Sequence, residues 1–177
     1  MVDFLAAQGL AGATVLEIGG GVGEIQLELL RRGAARATNL ELVTSYDADA
    51  HRLAAQAGLA DRVLRRVVDI ASGTEPVEPA DVVVLHRVVC CYPAYERLLG
   101  AAADRSLRTI VFTHPPRTIW TRAAVGVGNL MVGISGRSYR GFVHPPEAMA
   151  DVVRRHGFEL RYRHRGLSWC VVGAVRG

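Results

Sequence analysis

Residues 15–24 read VLEIGGGVGE, an apolar run that breaks into glycines at 19, 20, 21 and 23. The apolar run has the length and composition of a buried strand, and the glycines strip the backbone that follows it of side chains. Which group that backbone receives is decided by spacing. A dinucleotide fingerprint needs its third glycine at the sixth position, and counting from Gly19 that position is Glu24. Starting from Gly20 or Gly21 does no better. A P-loop closes on Gly-Lys-Ser/Thr, and the chain has no lysine. What remains is acidic-x-Gly-x-Gly-x-Gly, made of Glu17, Gly19, Gly21 and Gly23, with Gly20 inside it.

Outward from this stretch, strand-like and helix-like patterns alternate as far as residue 115. Strands are predicted at 15–18, 37–42, 63–68, 81–86 and 109–113, and helices at 23–32, 47–57 and 94–104. In the first helix Ile25, Leu29 and Leu30 share a side. Ser45 is placed to cap the second, with Asp47 and Asp49 in its first turn. Such alternation predicts an α/β fold with a mostly parallel sheet covered on both faces. The tail changes rhythm, with a helix opening at Pro145, Pro146 and Glu147 and then two strands joined by a tight turn at Arg165 and Gly166. Between the two parts, 115–143 is rich in glycine and carries a helix near 121–132. Its apolar residues read as core, with a lid over a pocket or a homodimer contact as the alternatives. No repeat or linker divides the chain, so residues 1–177 are expected to form a single domain.

Glu17 and the glycines resemble the first motif of the class I S-adenosylmethionine-dependent methyltransferases, which stands at the turn from the first strand into the first helix. The resemblance implies a Rossmann-like class I methyltransferase fold, with a seven-stranded, mostly parallel sheet and an antiparallel C-terminal hairpin. It also implies S-adenosylmethionine as cofactor. Gly19, Gly20, Gly21 and Gly23 would let its amino-acid end approach, and Glu17 would hold the loop or help neutralise the cationic end. Glu41, followed by Leu42, ends the second strand, where the family binds the ribose hydroxyls; Asp47 is the competitor, inside the next helix. Asp69 and Ile70 match the acid that meets the adenine amino group and the apolar neighbour that packs the ring. His86, at the end of strand four, is the expected cofactor-side contact.

For the methyl acceptor the chain offers less. Tyr92-Pro93 after strand four resembles a Tyr-Pro of the magnesium-protoporphyrin O-methyltransferases, with Cys91 where that family has histidine. The resemblance implies a small-molecule acceptor and O-methylation. Methyl transfer from a sulfonium disperses charge and needs alignment more than a nucleophile, although a phenol or alcohol is helped by a nearby histidine or tyrosine. Tyr92 and His114 are the acceptor-side candidates, with Tyr139 and His144 behind them. Because only about a dozen residues precede the first strand, residues 120–134 are expected to border the acceptor pocket or a dimer surface. The His-Pro-Pro-Arg at 114–117 is unlike the Asp/Asn-Pro-Pro-aromatic motif of amino-group methyltransferases. Histidine cannot present a carbonyl, and the prolines stop a strand.

Bulk composition narrows the partners. The formal charge is +4, all of the basic side chains are arginine, and half the residues are hydrophobic, yet no apolar run reaches bilayer length. With no basic segment and apolar core at the start, a cytoplasmic protein without a membrane span is expected. Cys90, Cys91 and Cys170 form neither a paired framework nor a metal-ligand spacing, so no metal is expected. The arginine cluster at 154–165 reads as a solvated face and not as a nucleic-acid surface. An RNA methyltransferase and a non-catalytic cofactor-binding module stand as the alternatives to a small-molecule enzyme.

Overall fold

The computed structural model describes residues 1–136 and 139–177. Seven strands lie in the order β3-β2-β1-β4-β5-β7-β6. They are β1 Thr14–Ile18, β2 Arg36–Glu41, β3 Val63–Val67, β4 Ala80–Leu85, β5 Ser106–His114, β6 Phe158–Arg165 and β7 Cys170–Arg176. The first five pair in parallel, and β7 enters antiparallel between β5 and β6. The helices are α1 Val2–Ala7, α2 Glu24–Arg31, α3 Asp47–Gln56, α4 Tyr95–Asp104, α5 Ile119–Ile134 and α6 Pro146–Arg155. Among the described residues no helix is long and apolar enough to cross a membrane.

Strand alternation divides the core between the two faces of the sheet. Leu16, Val83, Leu85, Ile110 and Phe112 face α4 and α6, where Leu99, Met149 and Val153 meet them. Val15, Val82, Val84 and Val111 face the other way, onto Leu5 of α1 and onto Leu27 and Leu30 of α2. α1 is a helix that the periodicity did not announce, and its Leu5 is fully buried.

Three local expectations are corrected. Ser45 does not cap α3: Tyr46 occupies the cap position, and the Asp47 N–H bonds the Thr44 carbonyl at 3.0 Å, so a backbone turn opens the helix. The hairpin turn is longer than Arg165-Gly166, because Gly166 N–H reaches the Trp169 carbonyl at 3.0 Å and β7 begins only at Cys170. The largest departure is α5, whose apolar residues are not core. None of them is buried, and Ile119, Trp120, Leu130 and Ile134 are exposed.

Candidate functional site

The strand order reverses between β1 and β4, and a crevice opens there beyond the carboxyl ends of the strands. Its volume is about 600 Å3. Gly19, Gly20 and Gly21 line one side, Glu41 and Leu42 the next, and Asp69 and Ile70 follow. His86, Tyr92, Cys91 and Tyr139 complete the far rim.

The glycine turn is held from beneath and from both flanks. A Cβ on Gly20 would come within 2.5 Å of the Asn39 amide and 2.7 Å of the Glu17 carboxyl carbon, so only glycine fits above these side chains. Gly23 caps α2 with φ of 86°, a backbone angle that residues with a Cβ rarely adopt. Glu41 Oε1 accepts the Gly21 N–H, and Arg65 on β3 donates from Nη1 to the Gly21 carbonyl at 2.8 Å. The same guanidinium meets Asp47 Oδ1 from Nη2 at 3.0 Å. Both ends of the Gly21 residue are therefore bound by side chains of neighbouring strands.

Glu17 is buried below the turn and accepts the Gln26 N–H at 3.1 Å. Burial pushes its carboxyl up to about 8, with the nearby Glu41 adding to the rise while Gln26 and Arg65 oppose it. Asn39 and Gln26 lie in the same buried layer, and neither atom of the Asn39 amide group has a hydrogen-bond partner among the described residues. Asp69 is fixed by the Ala71 N–H at 3.0 Å and by the Tyr92 hydroxyl, which donates to its Oδ2 at 2.9 Å. Tyr92 is raised from its ordinary value by desolvation and by that same carboxylate.

His86 closes the crevice near the end of β4. Its Nδ1 lies 3.4 Å from the Thr113 hydroxyl, which also accepts the Arg87 N–H at 2.8 Å. Burial, and then the Arg87 charge, hold the imidazole below its usual range, so it is neutral at pH 7. The Cys91 thiol is pulled down to about 6, first by its hydrogen bond with Cys90. Tyr139, 3.1 Å from Cys91 Sγ, is pushed up to about 12 by that contact and by desolvation.

Ten of the expected residues thus face one space: Gly19, Gly20, Gly21, Glu41, Leu42, Asp69, Ile70, His86, Tyr92 and Tyr139. Glu17 lies under them and Gly23 shapes the turn without lining the crevice. His114 is not brought there. It alternates with Thr113, so it shares the Phe112 face of β5, where its Nδ1 lies 2.9 Å from the Pro115 carbonyl in a depression beside Arg163 and Glu147. His144 stands behind Tyr92, with Nε2 3.0 Å from its carbonyl. Sequence reasoning did not pick out Arg65, Asn39 or Gln26. Arginine within a strand is unremarkable until the register β2/β3 sets Arg65 beside Asn39.

The residues present fit S-adenosylmethionine. The volume suits a ligand of a few hundred Å3, two acids border the crevice for hydroxyl and amino donors, and space lies open above Gly21, with no atom within 4 Å of a Cβ built there. No family model and no curated protein matches the sequence. Solved structures do match. Magnesium protoporphyrin IX methyltransferase from Synechocystis PCC 6803 with bound SAH aligns over 99% of this chain and 82% of its own, at a TM-score of 0.79 and 18% identity. An O-methyltransferase family protein from Burkholderia thailandensis aligns over 99% of this chain and 55% of its own, at 0.79 and 23%. An O-methyltransferase family 2 protein from Planctomyces limnophilus DSM 3776, in complex with apigenin, aligns over 94% and 52%, at 0.74 and 16%. At such identities the likeness speaks for architecture, and it agrees with the sheet order, the glycine turn and the terminal hairpin: the chain has the class I S-adenosylmethionine-dependent methyltransferase fold.

Proposed function

We propose that residues 1–177 act as a single S-adenosylmethionine-binding domain that methylates a small molecule, at oxygen. One observation carries the reading. The Gly19–Gly21 backbone, Glu41 and Asp69 come from three different strand ends and converge on one crevice. In this reading Glu41 takes the ribose hydroxyls, Asp69 the adenine amino group, and Ile70 and Leu42 the apolar faces of the nucleoside. Tyr92 is a positioning residue that orients Asp69 through its hydroxyl. Glu17 supports the turn beneath the amino-acid end.

When bound, the cofactor supplies an electrophilic methyl group on a sulfonium. The chain contributes alignment and a surface from which water is expelled, the terms that matter for an in-line displacement. His86, neutral at pH 7, is the group able to receive a proton from a hydroxyl acceptor, whereas a carboxylate acceptor needs none. Two of the similar structures are O-methyltransferases, one in complex with apigenin, and this supports a small acceptor. The free cysteines support a cytoplasmic location. Two arginines of β6 speak against an RNA surface, since Arg161 and Arg163 are paired with Glu159 and Glu147. The bare face of α5 supports a lid over the acceptor or a homodimer contact.

The test is calorimetric titration with S-adenosylhomocysteine and with NADH, followed by transfer of labelled methyl to a panel of phenols, alcohols and carboxylates. Binding of the first and not the second, with label on an oxygen acceptor, is the expected outcome. Binding of NADH alone would remove the reading.

A further inference from the structure

The bend after β4 carries reactive side chains for which the proposed methyl transfer has no use. Cys90 and Cys91 are adjacent in sequence, and the short turn Val89–Cys91 brings their sulfurs to one side, 3.5 Å apart. Both sulfurs lie 3.6 Å from the Arg87 carbonyl. Arg87 sets this bend with φ of 60°, a left-handed angle that is uncommon outside glycine. From the other side the Phe142 N–H holds the Cys90 carbonyl at 2.7 Å. Cys91 is exposed and lines the crevice, Cys90 is half-buried, and the Tyr139 hydroxyl stands 3.1 Å from Cys91 Sγ.

We propose that Cys90 and Cys91 form a two-sulfur site for a thiophilic ligand, a single soft centre bonded to both sulfurs at the mouth of the crevice. The geometry suits it. Two bonds of about 2.3 Å spanning a gap of this size meet at roughly 100°, an ordinary angle at a soft centre. No carboxylate contacts either sulfur among the described residues, so the site offers little to calcium or magnesium. Two sources share the chemistry. An organic arsenoxide places trivalent arsenic on the pair: two As–S bonds form, the As=O bond breaks, and the two thiol protons leave with that oxygen as water. No oxidation state changes. A soft cation such as cadmium forms two metal–sulfur bonds and releases the two protons to solvent, and the Tyr139 oxygen is a third donor for it. Because Cys91 lines the crevice, an occupied pair excludes the cofactor, a consequence that rests on the function proposed above.

Phenylarsine oxide and cadmium, each added to the reduced full chain without cofactor, test the site by intact mass and by the sulfur-to-cadmium ultraviolet absorption. One phenylarsenic group with loss of one water is expected, stable to a monothiol and stripped by a dithiol. Cys90→Ala and Cys91→Ala each remove it, while Cys170→Ala retains it; circular dichroism verifies that the variants are folded. Tyr139→Phe leaves the arsenical adduct intact and weakens cadmium several-fold. An adduct that survives in either of the first two variants, or no adduct at all, overturns the site. Loading with phenylarsine oxide should weaken S-adenosylhomocysteine binding at least tenfold. An unchanged affinity overturns the link to the crevice, whereas unloaded protein that ignores S-adenosylhomocysteine counts against the proposed function alone.

Discussion

The glycine turn after β1 and the helix α5 are both poor in charge, and they reach opposite states. Around the turn, Gly21 is bound at its N–H by Glu41 and at its carbonyl by Arg65, while Glu17 and Asn39 fill the space under Gly20. Every partner lies within the chain. α5 has 16 residues and buries none; a single stripe of Thr121, Val125, Asn129 and Val132 is half-covered, and Trp120 is 82% exposed. Its firmest tie is the Asn129 side chain, which exchanges hydrogen bonds with Gly141 at 2.9 and 2.7 Å. A turn built from backbone demands is decided by the residues standing in it. The face of an apolar helix is decided by what covers it.

The comparison is tested hardest at Glu17. A carboxyl raised by burial keeps its proton in the folded chain, while the unfolded chain loses it near 4.5. Its contribution to stability is therefore complete below pH 4.5 and is lost as pH rises towards about 8. Glu17→Gln carries no such loss. Urea unfolding should show the variant gaining on the wild type across this window, by on the order of 4 kcal/mol in total. A constant difference between the two would mean that Glu17 is ionised and that the layer under the turn is wet.

Arg65→Met comes next. It removes the hydrogen bond to the Gly21 carbonyl and strands Asp47, whose side chain is 36% exposed and so regains some water. A loss of about 3 kcal/mol in unfolding free energy is expected, since a charged hydrogen bond and a mostly buried ion pair go together. A loss under 1 kcal/mol would show that the turn does not need its flank. Glu41→Ala should instead be read in binding. S-adenosylhomocysteine should weaken by about 2 kcal/mol, the worth of a charge-assisted hydrogen-bond pair. An unchanged calorimetric affinity assigns the ribose elsewhere.

The sequence made most of the turn legible because its requirements are local. Gly19, Gly20 and Gly21 follow a strand, and Glu41 and Asp69 end strands at offsets that a strand-helix-strand unit produces, so topology alone brings them together. Arg65 was hidden because its use depends on β3 lying beside β2 in one register, which a single chain of letters does not reveal. His114 was misplaced by one step of alternation: Thr113 faces His86, and the next side chain faces away. Tyr92 was expected beside the acceptor; it does line the crevice, and its hydroxyl also meets Asp69, a contact that the letters alone did not reveal. Core was only the default reading of α5, beside a pocket or dimer surface, for a related reason. Apolar composition states that a surface wants covering, but it carries no record of the cover.

The smallest expected effect lies in α5 and decides whether the two regions truly differ. Trp120→Ser with Leu130→Ser alters side chains that are 82% and 64% exposed, so at high dilution the unfolding free energy should move by no more than about 0.5 kcal/mol. If the double variant costs as much as Arg65→Met, and the cost grows with protein concentration, α5 is a buried surface between two copies and only looks bare in one chain. If the cost is small and dilution does not matter, hydrogen exchange along Ile119–Ile134 separates the remaining readings. Slowing of that exchange by S-adenosylhomocysteine would make α5 a lid over the crevice. Exchange that is fast with or without it would leave a helix held mainly by Asn129 and Gly141, waiting for a cover that neither the cofactor nor a second copy supplies.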